Sequence, residues 1–128
     1  MKSQKLPTEY QHISPAGAEV RILMSNPMAS IAHCTLKNGV TSKAIVHKSV
    51  SEIWHVISGS GEIWRRQNGV DTITELNVGL TIDIPQGTDF QYRSTDGNNL
   101  VFMCVTTPPW PGAHEVDYLS IGAWTPSN

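Results

Sequence analysis

Residues 39–59 read Gly39-Val-Thr-Ser-Lys-Ala-Ile45-Val-His47-Lys-Ser-Val-Ser-Glu52-Ile-Trp54-His-Val-Ile-Ser-Gly59. The stretch predicts a strand, a short turn and a second strand. His47 and Glu52 flank the turn. Strands paired there would bring an imidazole and a carboxylate together, which is the start of a metal site or of an acid–base site. Residues 52–58 are β-branched and aromatic and largely apolar on both faces, so they predict a central, buried strand.

The same reading extends in both directions. Residues 18–24 alternate and then turn apolar, and Asn26-Pro27 stops them. Residues 28–37 predict a second strand. Period two puts Ala32, Cys34 and Leu36 on one face and Ile31, His33 and Thr35 on the other. Which of these faces is interior stays open at this point. After the turn Gly59-Ser60-Gly61, residues 62–67 and 70–76 flank Asn68-Gly69, the strongest hairpin signal in the chain. Arg65 and Arg66 near its tip are read as solvated. Further strands are expected at 80–84, 88–95 and 100–106, with a turn at Asp96-Gly97-Asn98-Asn99.

Residues 1–17 have no period and predict an arm, either frayed or laid across a partner. Residues 107–128 begin with Thr107-Pro-Pro-Trp110-Pro-Gly, which is rigid and extended, and show no further element. Trp110 is expected to anchor the tail or to cover the mouth of a barrel. Many short strands with frequent turns and no helical period indicate an all-β sandwich or barrel, and 128 residues leave room for one domain. A net charge of −2 argues against a nucleic-acid role. No apolar run reaches the length of a membrane helix. The N-terminus shows no secretion signal. The two cysteines, Cys34 and Cys104, have no metal or redox spacing; free thiols in a reducing cytoplasm are the favoured reading, and a Cys34–Cys104 disulfide stays open at this point.

The spacing of two segments resembles that of the cupin superfamily. The first family motif is Gly, five residues, His-x-His, three or four residues, Glu, six residues, Gly. Gly39, Ile45-Val46-His47, Glu52 and Gly59 keep every spacing, with Ile45 in place of the first histidine. The second motif is Gly, five residues, Pro-x-Gly, two residues, His, three residues, Asn. Gly79, Pro85-Gln86-Gly87, Phe90 and Ser94 keep it, with Phe90 for the histidine and Ser94 for the asparagine. The resemblance implies a single cupin domain over 1–128, a double-stranded β-helix or jelly-roll barrel over 18–106. It also implies a homodimer and a bacterial, cytoplasmic setting.

In metal-binding cupins three histidines and a glutamate converge inside the barrel. By that match this chain keeps His47 and Glu52, and Ile45 and Phe90 replace the other two ligands. A complete site for Fe, Mn, Ni, Zn or Cu would need a further donor. His33 is one candidate; Cys34, His12 and His114 are others, while His55 should face away from Glu52. Without a metal, His47 and Glu52 form a general acid–base pair or a satisfied polar pair in a core. Ile45, Phe90, Trp54 and Tyr92 would make the barrel mouth apolar and aromatic, suited to a small organic ligand. Three functions are therefore expected: a small-molecule-binding cupin of unknown specific activity without a complete metal site, in which His47 and Glu52 would carry any acid–base chemistry of isomerase, lyase or cyclase type; a metal-dependent enzyme of isomerase, lyase or dioxygenase type with a non-standard third ligand; or a non-catalytic sensory or accessory binder.

Overall fold

The computed structural model describes residues 1–95 and 97–128; the expected turn at Asp96 falls partly outside the described residues. The strands in chain order are β1 (His12–Ile13), β2 (Glu19–Ser25), β3 (Ser30–Leu36), β4 (Ile45–His47), β5 (Ser51–Ser58), β6 (Ser60–Gln67), β7 (Val70–Asn77), β8 (Thr81–Ile84), β9 (Asp89–Thr95), β10 (Leu100–Thr107) and β11 (Val116–Tyr118). A single 3-10 turn, Ala113–Glu115, precedes β11. One sheet runs β1-β2-β3-β10-β5-β8 and the other β11-β4-β9-β6-β7, and every pairing is antiparallel. The two sheets face each other, and the inward residues of alternating strands form one core.

Local chemistry explains most of these elements. In the β6–β7 hairpin, Asn68 and Gly69 both take positive φ (53° and 75°), the backbone of a two-residue turn whose twist matches its strands. Gly59 is required twice. Its φ is 76°, and a side chain there would meet the carbonyl of Asn99. It is also the only residue between β5 and β6, so the expected turn shrinks to one residue. Ser60 and Gly61 already belong to β6.

Other expectations change. β5 is not buried on both faces. Trp54 and Val56 point into the core, whereas Ile53 is 52% exposed and His55 and Ile57 share its outer face. The sheet is antiparallel, and nothing among the described residues covers that side. Arg65 is not simply solvated: its guanidinium donates to the Asp83 carbonyl at 2.8 Å and to Thr74 Oγ1 at 3.0 Å. The N-terminal arm lies along its own chain. β1 pairs with β2, and Arg21 donates to the carbonyls of Pro7 and Thr8.

The tail is structured as well. After a cis Thr107–Pro108 bond it forms β11 on the edge of β4, then crosses the outer face of the second sheet. There Gln91, fully buried, donates to the carbonyls of Ser42 (2.9 Å) and Trp124 (2.8 Å) and accepts from the Trp124 amide (2.9 Å). Arg93 lies 4.2 Å from the Trp124 ring centroid. Among the described residues no helix is long and apolar enough to cross a membrane.

Candidate functional site

His47 ends β4 in one sheet, and Glu52 lies at the start of β5 in the other. The residues between them carry the chain across the sandwich, so the two side chains meet between the sheets. His47 Nε2 stands 3.6 Å from Glu52 Oε1, an ion-pair distance rather than a full hydrogen bond. Trp54 Nε1, two residues along β5, donates to the same oxygen at 3.0 Å. Thr106, directly opposite Glu52 on β10, donates to Oε2 at 3.3 Å.

Burial pushes the Glu52 carboxyl up. The contact and charge of His47, the indole N–H of Trp54 and the Cys104 thiol together outweigh that push, and the net shift is downward. Glu52 is therefore ionised at neutral pH. His47 is only 4% exposed, stacks on Phe90 (5.3 Å between ring centroids) and meets the Trp110 ring edge-on (5.6 Å). Its Nδ1 is buried without a hydrogen-bond partner.

The turn that sets this geometry is itself held from outside the motif. The buried carboxylate of Glu115 accepts from the amides of Ser49 and Val50 and from the Ser49 hydroxyl. The Lys48 amide donates to the Glu115 carbonyl at 2.9 Å. From the other motif, Gln86 donates its side-chain amide to the Lys48 carbonyl (2.7 Å) and its backbone amide to Ser51 Oγ (3.0 Å). The Gly87 amide donates to the His47 carbonyl at 3.2 Å. The Pro85-Gln86-Gly87 loop thus clasps the turn between His47 and Glu52.

Beside the pair lies a cavity of about 200 Å³. Ile45, Trp54, Phe90 and Tyr92 line it, as does each member of the His47–Glu52 pair. Trp54 anchors an aromatic cluster, stacked on Phe102 at 3.9 Å and edge-on to Tyr92 at 4.8 Å. The opposite end of the sandwich is packed solid by Leu36, Ile63, Leu76 and Leu100, all fully buried. Sequence reasoning missed several walls: the arm and its turn from His12 to Ala18, Val20 and Ile22 on β2, and Thr106. The alternation of Leu100, Phe102, Cys104 and Thr106 carried the signal for the last. Trp110 was expected as anchor or lid. It lines the cavity and donates its amide to Ser30 Oγ at 3.0 Å.

His33 does not belong to the site. The inward face of β3 is that of Ala32 and Cys34, which line the cavity; His33 sits on the outer face between Arg21 and Met103. Period two forbids both faces at once. His55 also points outward, with Nδ1 2.7 Å from Thr81 Oγ1. Cys34 and Cys104 are free, buried thiols.

A cupin metal does not fit these donors. Ile45 and Phe90 face each other as a cross-strand pair at the positions where the resemblance would place two histidines. Both Glu52 oxygens already accept hydrogen bonds. Among the described residues no three His, Cys, Asp or Glu side chains converge as metal ligands do.

No family model matches the sequence, and no curated protein matches it either. Many solved structures do. Oxalate decarboxylase from Bacillus subtilis superposes with a TM-score of 0.76 at 16% identity, over 93% of this chain and 33% of that one. The chain thus spans a third of the length of the decarboxylase. KdgF from Halomonas sp. gives 0.69 at 16% identity, over 86% of this chain and 97% of that one. An uncharacterised Klebsiella pneumoniae protein with a double-stranded β-helix domain gives 0.70 at 19% identity, over 94% and 100%. The decarboxylase is described with Mn(II) centres. Two antiparallel sheets, the glycine-punctuated motifs and these neighbours agree: the chain has the cupin fold, a double-stranded β-helix.

Proposed function

We propose that the protein binds a small organic molecule in the cavity between its sheets, and that His47, backed by Glu52, exchanges a proton with it. The observation that carries this reading is His47, a residue of the wall of an otherwise largely apolar cavity whose Nδ1 is buried without a hydrogen-bond partner. An unmatched buried polar atom costs about 1–3 kcal/mol, which a bound partner would offset. The ionised Glu52 favours the proton on the facing Nε2, the tautomer assigned from that contact. Nδ1 then keeps a lone pair able to accept a proton from a C–H or O–H of the ligand. Returning that proton to another atom is an isomerisation or a ring closure; losing a leaving group instead is an elimination. None of these needs an oxidant. The reading routes no step through a metal, because the donor set is incomplete. Oxalate chemistry is not carried over from a likeness of fold. Two free thiols suit the reducing cytoplasm expected for it.

The test is a screen of single-ring fragments by ligand-observed NMR against the native chain and against Ala32→Leu, which fills the cavity from β3. Fragments that bind the native chain and are lost in Ala32→Leu support the reading. No binding, or binding indifferent to the filled cavity, overturns it. Exchange of solvent deuterium into a bound fragment, abolished in His47→Gln with binding retained, separates proton transfer from mere binding.

A further inference from the structure

The charge of the ligand is written in the walls of the cavity, and this inference rests on the binding reading above. Among the described residues, no Lys or Arg lines it. Only His47 and His12 can carry positive charge there. His47 already faces the Glu52 carboxylate at 3.6 Å, and His12 lies at the half-exposed arm. The remaining polar groups in the wall, Ser14, Ser25, Ser30, Thr106 and the phenol of Tyr92, are neutral. Burial pushes the Tyr92 hydroxyl well above its usual range, as it does both thiols, so none of these groups becomes an anion or offers a counter-charge.

A carboxylate in this cavity would lose its hydration and meet no unpaired cation. It would also stand near Glu52, whose own negative charge is fixed. Burying an unpaired charge costs more than a short list of contacts returns. An uncharged ring with one hydrogen-bonding substituent meets no such cost: its ring packs on the aromatic walls, and its substituent can pair with a neutral polar side chain of the wall such as Ser30, Thr106 or Tyr92. The size agrees, since a dry apolar cavity of about 150 Å³ takes a benzene, and this one is about 200 Å³.

We infer that the cavity selects uncharged, single-ring molecules and rejects carboxylates of the same shape. Benzamide and benzoate are nearly isosteric and differ in charge. Titrated at pH 8 into the native chain and followed by tryptophan fluorescence, benzamide is expected to bind at least tenfold more tightly than benzoate. A matched variant, Ile22→Arg, places a cation on a half-exposed wall residue. It is expected to shift the ratio toward benzoate. Equal or tighter binding of benzoate by the native chain overturns the charge selection and leaves the binding reading standing. If neither compound binds at millimolar concentration, both fall.

Discussion

His47 has two nitrogens with different fates: one faces a carboxylate, the other has no partner. Phe90 and Ile45 occupy the places where the resemblance would set imidazoles, and each packs against the other or against His47. The double variant Ile45→His, Phe90→His is therefore expected to create what the native chain lacks. Without metal it should lose about 3 kcal/mol or more, the usual cost of replacing a buried aromatic. With Mn²⁺ or Ni²⁺ its melting temperature should rise, and elemental analysis should find near-stoichiometric metal, while the native protein takes up far less. Near-stoichiometric metal in the native protein, lost in His47→Ala, would reverse the assignment.

The Glu52 carboxyl titrates below its ordinary value of 4.5 in the folded chain, so its contribution to stability is full above that pH and lost as the pH falls through the lowered value. Glu52→Gln should accordingly flatten the acid limb of stability in urea denaturation below about pH 4.5 and leave its slope above pH 6 unchanged. The central pair of the site and its aromatic wall were legible in the sequence, because motif spacing and strand parity are properties of the backbone. His47, Glu52, Ile45, Trp54, Phe90 and Tyr92 all follow from them. His33 was misplaced because parity names two faces without saying which is inner. That choice is made by Phe102 and Cys104, sixty and more positions away, when β10 pairs with β3.

Among the elements, the turn between β4 and β5 depends on a residue that no motif or strand period singles out. Glu115 bonds two amides and a hydroxyl of that turn, and β11 ties the same segment to β4. Its carboxyl is raised by burial but lowered on balance by its bonds to Ser49 and Val50, so it too stabilises the fold only while ionised. Glu115→Gln keeps the shape and removes the charge. It should cost about 2–3 kcal/mol in chemical denaturation, one to two charge-assisted hydrogen bonds. It should also broaden the His47 imidazole resonances, an effect that a purely global loss of stability would not give. β11 escaped the sequence reading because three residues carry no period. The same is true of β1, with two. Such strands are created by the edge they join. Eight longer strands were foreseen within a few residues because each carries an alternating or continuous apolar run long enough to identify, and β4, as short as β11, was foreseen from its place between Gly39 and the turn to Glu52. The exposed side of β5 was not foreseen, since an apolar residue looks the same in sequence whether or not another layer covers it.

Over the whole molecule, the two sheets are treated unequally. The outer face of one carries Ile53, Ile57 and His55 into solvent, and the outer face of the other is crossed by the C-terminal segment. Gly122 marks how closely that segment packs: a side chain there would stand 2.8 Å from the Ala44 methyl and would clash with Gln91. Gly122→Ala is expected to lift the segment, costing about 1–3 kcal/mol by overpacking and raising amide exchange at Trp124. Fragment binding should be unchanged, because the cavity lies on the other side of that sheet. Loss of fragment binding in this variant would mean that the tail and the cavity are coupled.

Cys34 and Cys104 sit in the wall of the cavity as free thiols whose ionisation burial suppresses. They give the protein an internal clock. A small neutral alkylating or thiosulfonate reagent that enters the cavity meets both sulfurs in its wall, so a molecule bound there should slow their modification. Whatever slows that clock at low concentration is a ligand of this cavity, and it can be recognised before its chemistry is known.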